Sequence, residues 1–392
     1  MQIKETFEKL TNLQKVLVTA ILVIIFYGLS ASVSFAIFSK VFGGGELISS
    51  LPGPATSVDE EGNEPKTESC PLDGSMHTKK AKDAWEKRRP LAVMIENHSE
   101  ARPQSGLSSA NIVYEAVAEG GITRFSAIFY CNLSDIQVGP VRSARTYFLD
   151  WISEYDPLYA HVGGANTPGP ADALSQIVRY RFKSLNQFGI GFPTYWRDYQ
   201  RLGHPVATEH TMYSTTQKLW EIGSKRGWEA KDEDGVLWTK NFTSWKFNGS
   251  TSSPQGTPSV TNIKVNFWAN QENYAVEWIY DKTSNSYNRK NGGAEHTDLN
   301  NKKQLSPKNI VVQFERESNA NDGYENNVHL LYGTTGTGKI LVFQDGKVTE
   351  GTWNKATRIT RTKYLDKSGK EIEFNKGQIW IQTVPEGSKV EY

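Results

Sequence analysis

"RPLAVMIENHSEARPQSGLSSANIVYEAVAEGGITRFSAIF", residues Arg89–Phe129, holds three apolar runs separated by polar and glycine-rich spacers. Leu91–Asn97, Asn111–Gly120 and Ile122–Cys131 each have the length and apolar content of a buried strand. The Gly120–Gly121 pair between the last two predicts a tight turn. Downstream, Ser143–Tyr155 carries apolar residues near helical spacing, and "PLYAHVGG" (157–164) reads as a strand ending in a glycine turn. Pro170–Phe182 reads as a helix with proline in its first turn, and Ser214–Gly227 as a helix with a serine cap and a closing glycine. Strands alternating with helices predict an α/β layered domain over residues 85–230.

Past a connector at 231–257 the pattern becomes all strand. "TNIKVNFW", "YAVEWIYD", "NIVVQFE", "KILVFQDGKVTEGTWNK" and "GQIWIQTV" are short β-runs punctuated by Asp-Gly, Asn-Gly, Ser-Gly and Lys-Gly turns. They predict a β-rich second domain over 258–392, whose Trp268, Trp278, Trp353 and Trp380 are either an exposed binding surface or part of the core. Inside it, Gly333, Gly338 and Lys339 fall at the G-x-x-x-x-G-K spacing of a phosphate-binding loop. Ile340 stands where that loop needs Ser or Thr for magnesium, and "ILVF" continues as a strand instead of a helix. No nucleotide is expected at Gly333–Lys339.

At the other end, Val16–Phe38 is an uncharged apolar run bracketed by Lys15 and Lys40. A run on the order of 20 such residues crosses a bilayer as a helix. Basic residues precede it and acidic ones follow, which predicts a cytoplasmic tail at 1–15, an anchor at 16–38 and an extracytoplasmic remainder. "SFA" (34–36) offers a signal-peptidase reading, but the run exceeds the usual length of a signal core. Residues 39–84 are expected to be a flexible linker, most clearly over "GGGELISSLPGPATSVDEEGNEPKTES" (43–69). The fold class is therefore an α/β N-terminal domain and a β-rich C-terminal domain, preceded by one transmembrane helix and a disordered linker.

Charge is balanced across the 392 residues, with 44 basic and 43 acidic side chains. Nothing in that balance holds nucleic acid, and no nucleic-acid partner is expected. The two cysteines, Cys70 and Cys131, form no C-x-x-C pair. A disulfide and two separate thiols both satisfy the sequence. No cofactor motif is present, and no metal is expected, because His98, His161 and Glu96 have no ligand spacing.

The Arg89–Phe129 stretch, "GPVRSARTYFLDWISEYDPLYAHVGG" (139–164) and "EHTMYST" (209–215) together resemble the YerB-like family of bacterial surface lipoproteins, a pair of domains of unknown function. "YNRKNGGAEHTD" and "GQIWIQTVP" extend the resemblance through the second domain. It implies an envelope protein and no particular reaction. The chain departs from a lipoprotein in having no cysteine just after its apolar run; a transmembrane anchor takes that job.

Polar residues crowd the same motifs. Glu96, His98 and Arg102 follow the first strand, and Glu115, Glu119 and Arg124 lie on the next two. Arg142, Ser143 and Arg145 are expected to open a helix, and His161 ends a strand. Arginines in a helix's first turn oppose its dipole, so something anionic is needed there. A bound phosphate or carboxylate meets that need, and so does Glu115 or Glu119 in an internal ion pair, the commoner arrangement. Two functions follow. The first is a binding or scaffold ectodomain engaging an envelope polymer or partner protein. The alternative is an enzyme that clamps an anionic, phosphate-containing envelope substrate with Arg124, Arg142 and Arg145 while Glu115, Glu119 or His161 transfers protons or holds a metal.

Overall fold

In the computed structural model, which describes residues 11, 13–15, 64–232, 234–248 and 257–392, the three opening runs are neighbouring strands of one sheet. They are β1 (Leu91–Glu96), β2 (Ile112–Glu119) and β3 (Ile122–Phe129). All six residues of β1 are buried, as are seven of the eight in both β2 and β3. Burial on both faces explains why these strands read as continuous apolar runs without alternation. β4 (Leu158–His161) and β5 (Lys183–Asn186) complete one side.

The other side comes from the end of the chain. β6 (Asn309–Glu315), β7 (Gly336–Gln344), β8 (Lys347–Lys355), β9 (Lys363–Asp366) and β10 (Ile379–Pro385) join the same sheet. The order is β9-β8-β7-β6-β10-β2-β3-β1-β4-β5. β10 is the joint: it runs parallel to β6, with Trp380 opposite Ile310, and parallel to β2, with Ile381 opposite Tyr114. The expected division at 231–257 follows the chain, but the hydrogen-bonded sheet runs through both regions.

A second sheet of five strands carries Asn262–Val265, Val276–Asp281, Ser286–Asn291, Ala294–Glu295 and Val390–Glu391. In Val276–Asp281 buried and half-buried residues alternate, so one face meets the core. Trp278 on that face meets Trp380 of β10 edge-on at 5.4 Å, and Trp380 meets Phe125 of β3 edge-on at 5.5 Å. Trp278, Trp353 and Trp380 are core residues and Trp268 is half-buried, which decides for the core reading over the exposed one.

Order begins before residue 85. Glu68–Ser69 pairs with Met76–His77, and helix α1 (Lys79–Trp85) follows, capped by the Thr78 hydroxyl accepting from the Ala81 amide at 3.2 Å. Cys70 and Cys131 form a disulfide. The linker expected over 39–84 thus gives way to structure by Glu68, because Cys70, Leu72, Ala81 and Trp85 are buried in the core. The predicted anchor at 16–38 lies outside the described residues, among which no helix is long and apolar enough to cross a membrane.

Other boundaries move by a few residues. Helix α2 (Thr146–Ile152) starts three residues later than expected. Helix α3 (Ala173–Arg179) is capped by Asp172, leaving Pro170 outside it. Helix α4 (Thr216–Lys225) is capped by Thr215, whose hydroxyl accepts from the Lys218 amide at 3.4 Å, one residue after the expected serine. At Gly338, a Cβ would sit 2.4 Å from Trp353 Nε1, which crosses there to donate to the Phe314 carbonyl at 2.9 Å. That glycine is needed for an indole, and strand β7 runs on from it.

Candidate functional site

The β2–β3 hairpin turns on Gly120 and Gly121, with φ of +57° and +81°. Two successive positive φ values favour glycine at both positions, and the turn brings Glu119 and Arg124 to one end of the hairpin. A second segment arrives beside it. The Arg142 amide donates to the Met94 carbonyl at 2.9 Å, the Val162 amide to the Arg142 carbonyl at 3.0 Å and the Ala144 amide to the Gly163 carbonyl at 3.0 Å. Held between β1 and the turn after β4, this segment is extended, and Arg145 caps α2 with φ −135° and ψ 148°. Arg142, Ser143 and Arg145 therefore precede the helix and do not form its first turn. The dipole argument for an anion does not apply to them.

The three arginines nevertheless meet. Arg124, Arg142 and Arg145 line a cleft of about 270 Å³ with Glu119, Ser143 and Asn166, and Tyr324 and His329 close it from the C-terminal region. Arg124 pairs with Glu119 Oε1, and Arg145 with Glu119 Oε2. Arg124 also donates to the Ser143 carbonyl at 3.1 Å, so Ser143 contributes backbone. Burial alone would raise the pKa of Glu119, but Arg124 and Arg145 outweigh it and hold the carboxyl down at about 2. Arg142 Nε lies 3.0 Å from Glu96 Oε1, and its side chain is the most exposed of the three at 23%. Three guanidinium groups thus face two carboxylates, and among the described residues Arg142 makes no other ion pair and no hydrogen bond through its terminal nitrogens.

Glu96 serves a second partner. Its Oε2 lies 2.7 Å from His210 Nδ1, and the ring of His210 stacks on His98 at 4.8 Å between centroids. The hydrogen bond that His210 donates to Glu96 raises the pKa of His210 against the effect of its burial. His98, Glu100 and His210 place ligand-type atoms within 4.8 Å of one another.

The remaining expected residues lie elsewhere. Glu115 is buried: its Oε1 accepts from Arg289 and Thr123, and its Oε2 from Trp380 and Gln382. Arg102 donates to Asn97 Oδ1 and to the Asn97 and Asn273 carbonyls. His161 is buried with both ring nitrogens bonded, Nδ1 to the Gly163 carbonyl at 2.7 Å and Nε2 to Ser184 Oγ at 2.8 Å. Burial lowers its pKa to about 4. Neither Glu115 nor His161 lines the cleft.

Sequence reasoning missed Tyr324 and His329, which lie about 200 residues from the arginines by the numbering of the chain and carry no motif. His329 is fixed by Asp322 Oδ2 at 2.7 Å and stacked under Tyr324 at 4.2 Å. Glu100 was missed too, although the H-x-E spacing of His98 and Glu100 is visible in the chain.

Residues 77–229 match a family described as "Protein of unknown function (DUF3048) N-terminal domain", and residues 263–381 match its C-terminal domain. Over 302 residues the chain is 34% identical to "Putative lipoprotein YerB" of Bacillus subtilis (strain 168), covering 76% of this chain and 82% of that protein. The crystal structure of the YerB protein from Bacillus subtilis is similar with a TM-score of 0.68 at 29% identity, covering 83% of this chain and 100% of that one.

Proposed function

Since the chain belongs to this two-part family of unknown function, typified by YerB, we propose that it is a membrane-attached binding ectodomain of the cell envelope, taking a phosphate-bearing polymer at the Arg124–Arg142–Arg145 cleft. The observation that carries this reading is the meeting of three guanidinium groups in one open cleft, where Arg142 has nitrogens to spare. Planar guanidinium forks suit phosphate oxygens, and a partly dry cleft strengthens such pairs. The Cys70–Cys131 disulfide suits an oxidising, extracytoplasmic compartment. Attachment is proposed through Val16–Phe38 in place of a lipid on cysteine, because Cys70 is committed to its disulfide.

Binding is preferred over catalysis because of what surrounds the proton-transfer candidates. Glu119 is clamped as an anion by two arginines, Glu115 is sealed in the core and His161 is hydrogen-bonded at both nitrogens. A general acid or base needs a free face toward the substrate.

The test is calorimetric titration of the full chain with inorganic phosphate and with a soluble glycerol-phosphate oligomer. Wild type is expected to bind the oligomer more tightly than phosphate, and Arg142→Ala to weaken both at least 10-fold while remaining folded, with some loss of melting temperature from the unpaired Glu96. No saturable binding by wild type, or equal binding by the variant, would refute the reading.

A further inference from the structure

Behind Arg142 the chain assembles a second group of side chains with different chemistry. His98 and Glu100 sit on one short turn, Ser99–Ala101 with His98 as its cap, and His210 ends another, Thr208–His210. His210 Nε2 lies 3.8 Å from Glu100 Oε2, and one ligand-type atom from each of the three residues falls within 4.8 Å of the others. A tetrahedral ion with bonds of about 2.1 Å separates its ligands by roughly 3.4 Å, so the set must contract by side-chain rotation to hold one.

The second independent observation concerns Glu96. Its side chain is buried, and Oε2 accepts from His210 Nδ1 at 2.7 Å. When the imidazole is neutral, a proton on Nδ1 leaves the Nε2 lone pair pointing away from Glu96. Histidines that bind metals are oriented in this manner by a carboxylate on the opposite nitrogen. Arg142 Nε forms an ion pair with the other oxygen of Glu96 at 3.0 Å, so the orienting carboxylate is itself held by charge. His98 Nδ1 takes a 3.3 Å bond from the Glu100 amide, and its ring is stacked nearly parallel on that of His210, 11° between planes, so one imidazole turns out of the stack for both in-plane lone pairs to reach one ion. The side chain of Glu100 is 58% exposed, so the set opens to solvent there.

We infer that His98, Glu100 and His210 bind one divalent transition-metal ion of the zinc class, with Glu96 orienting His210 and solvent completing the coordination. Two imidazole nitrogens and one carboxylate oxygen suit zinc, cobalt or nickel. Calcium and magnesium prefer sets built from oxygen alone. The inference does not depend on the arginine cleft binding anions, since its evidence is the ligand set and the Glu96–His210 bond.

The experiment uses the full chain, stripped by a chelator and then titrated with zinc chloride alone, followed by calorimetry. Cobalt(II) serves as the spectroscopic probe. One zinc per chain is expected, with visible cobalt absorption of a four- or five-coordinate ion and no comparable binding of calcium or magnesium. His210→Ala and His98→Ala are each expected to weaken zinc at least 100-fold. Glu96→Gln is expected to cost about 10- to 100-fold by loosening His210. Glu100→Ala, at an exposed position, keeps the test valid should a histidine variant misfold; it is expected to weaken zinc at least 10-fold. The inference falls if wild type binds no stoichiometric zinc, if calcium binds as tightly, or if folded His98, Glu100 and His210 variants bind zinc as wild type does.

Discussion

Glu115 and Arg289 form an ion pair at 2.8 Å in which neither side chain has any exposure to solvent. The pair joins the ten-stranded sheet, through β2, to the five-stranded sheet, through Ser286–Asn291. Trp380 and Gln382 of β10 donate to the same carboxylate, so three elements converge on one buried charge. The guanidinium also lies over the rings of Trp278 and Trp380, at 4.8 and 4.6 Å from their centroids. A glutamate on the first family region thereby fixes how the second is attached, and its part is architectural.

Removing one member of this pair strands a charge in the core. Arg289→Met is expected to lower unfolding free energy by about 3–5 kcal/mol. Glu115→Gln combined with Arg289→Met is expected to cost less than the sum of the two single changes, since no isolated charge is left. Urea unfolding of the four proteins measures the coupling, and strict additivity would show that the pair is not the joint.

Glu119 competes with any anion for Arg124 and Arg145. Replacing it with Gln removes that competition, so Glu119→Gln is expected to tighten phosphate binding several-fold while costing stability through two buried, like-charged guanidinium groups. Calorimetry and thermal melting on the same samples separate the two effects. Weaker phosphate binding in a folded Glu119→Gln protein would mean that Glu119 organises the arginines more than it blocks them.

The β1–β3 runs were legible because both faces are buried, which leaves continuous apolar stretches and a Gly-Gly turn. The end-of-chain strands were legible from their turns, but their place in the sheet was not. β10 pairs with β2 across more than 250 positions, and backbone pairing at that separation leaves no local mark. β5, "KSLN", was missed because only Leu185 of its four residues is buried. The arginines could be read as a group needing anions, but their partner could not be chosen: Glu115 and Glu119 lie on the same strand four residues apart, and only the hairpin end meets the cleft. The extended course of Arg142–Arg145 depends on bonds to Met94 and Gly163, which a one-dimensional helical spacing does not register.

Cys70 and Cys131 are 61 positions apart, so their disulfide closes a long loop in the unfolded chain. Loop-closure entropy assigns such a link about 4 kcal/mol. The Cys70→Ser/Cys131→Ser double variant is expected to lose about that much stability in denaturant, with α1 the first element exposed to proteolysis. A loss below about 1 kcal/mol would mean that the hairpin and Trp85 hold this segment without the bond.

His161 supplies the clearest pH signature. Burial lowers its pKa from 6.5 to about 4 in the folded protein, so between those values the unfolded chain takes up a proton that the folded one refuses. Its contribution to stability is complete above about pH 6.5 and is lost as the pH falls toward 4, at up to about 1.4 kcal/mol per pH unit. His161→Gln keeps a neutral polar group beside Gly163 and Ser184 but cannot take up that proton. It is expected to be less stable than wild type at pH 8, through imperfect replacement of two hydrogen bonds, and to lose less stability on acidification to pH 4.5. Urea unfolding of both proteins across pH 4.5–8 gives the difference directly. Identical slopes would show that His161 does not resist protonation in the folded state.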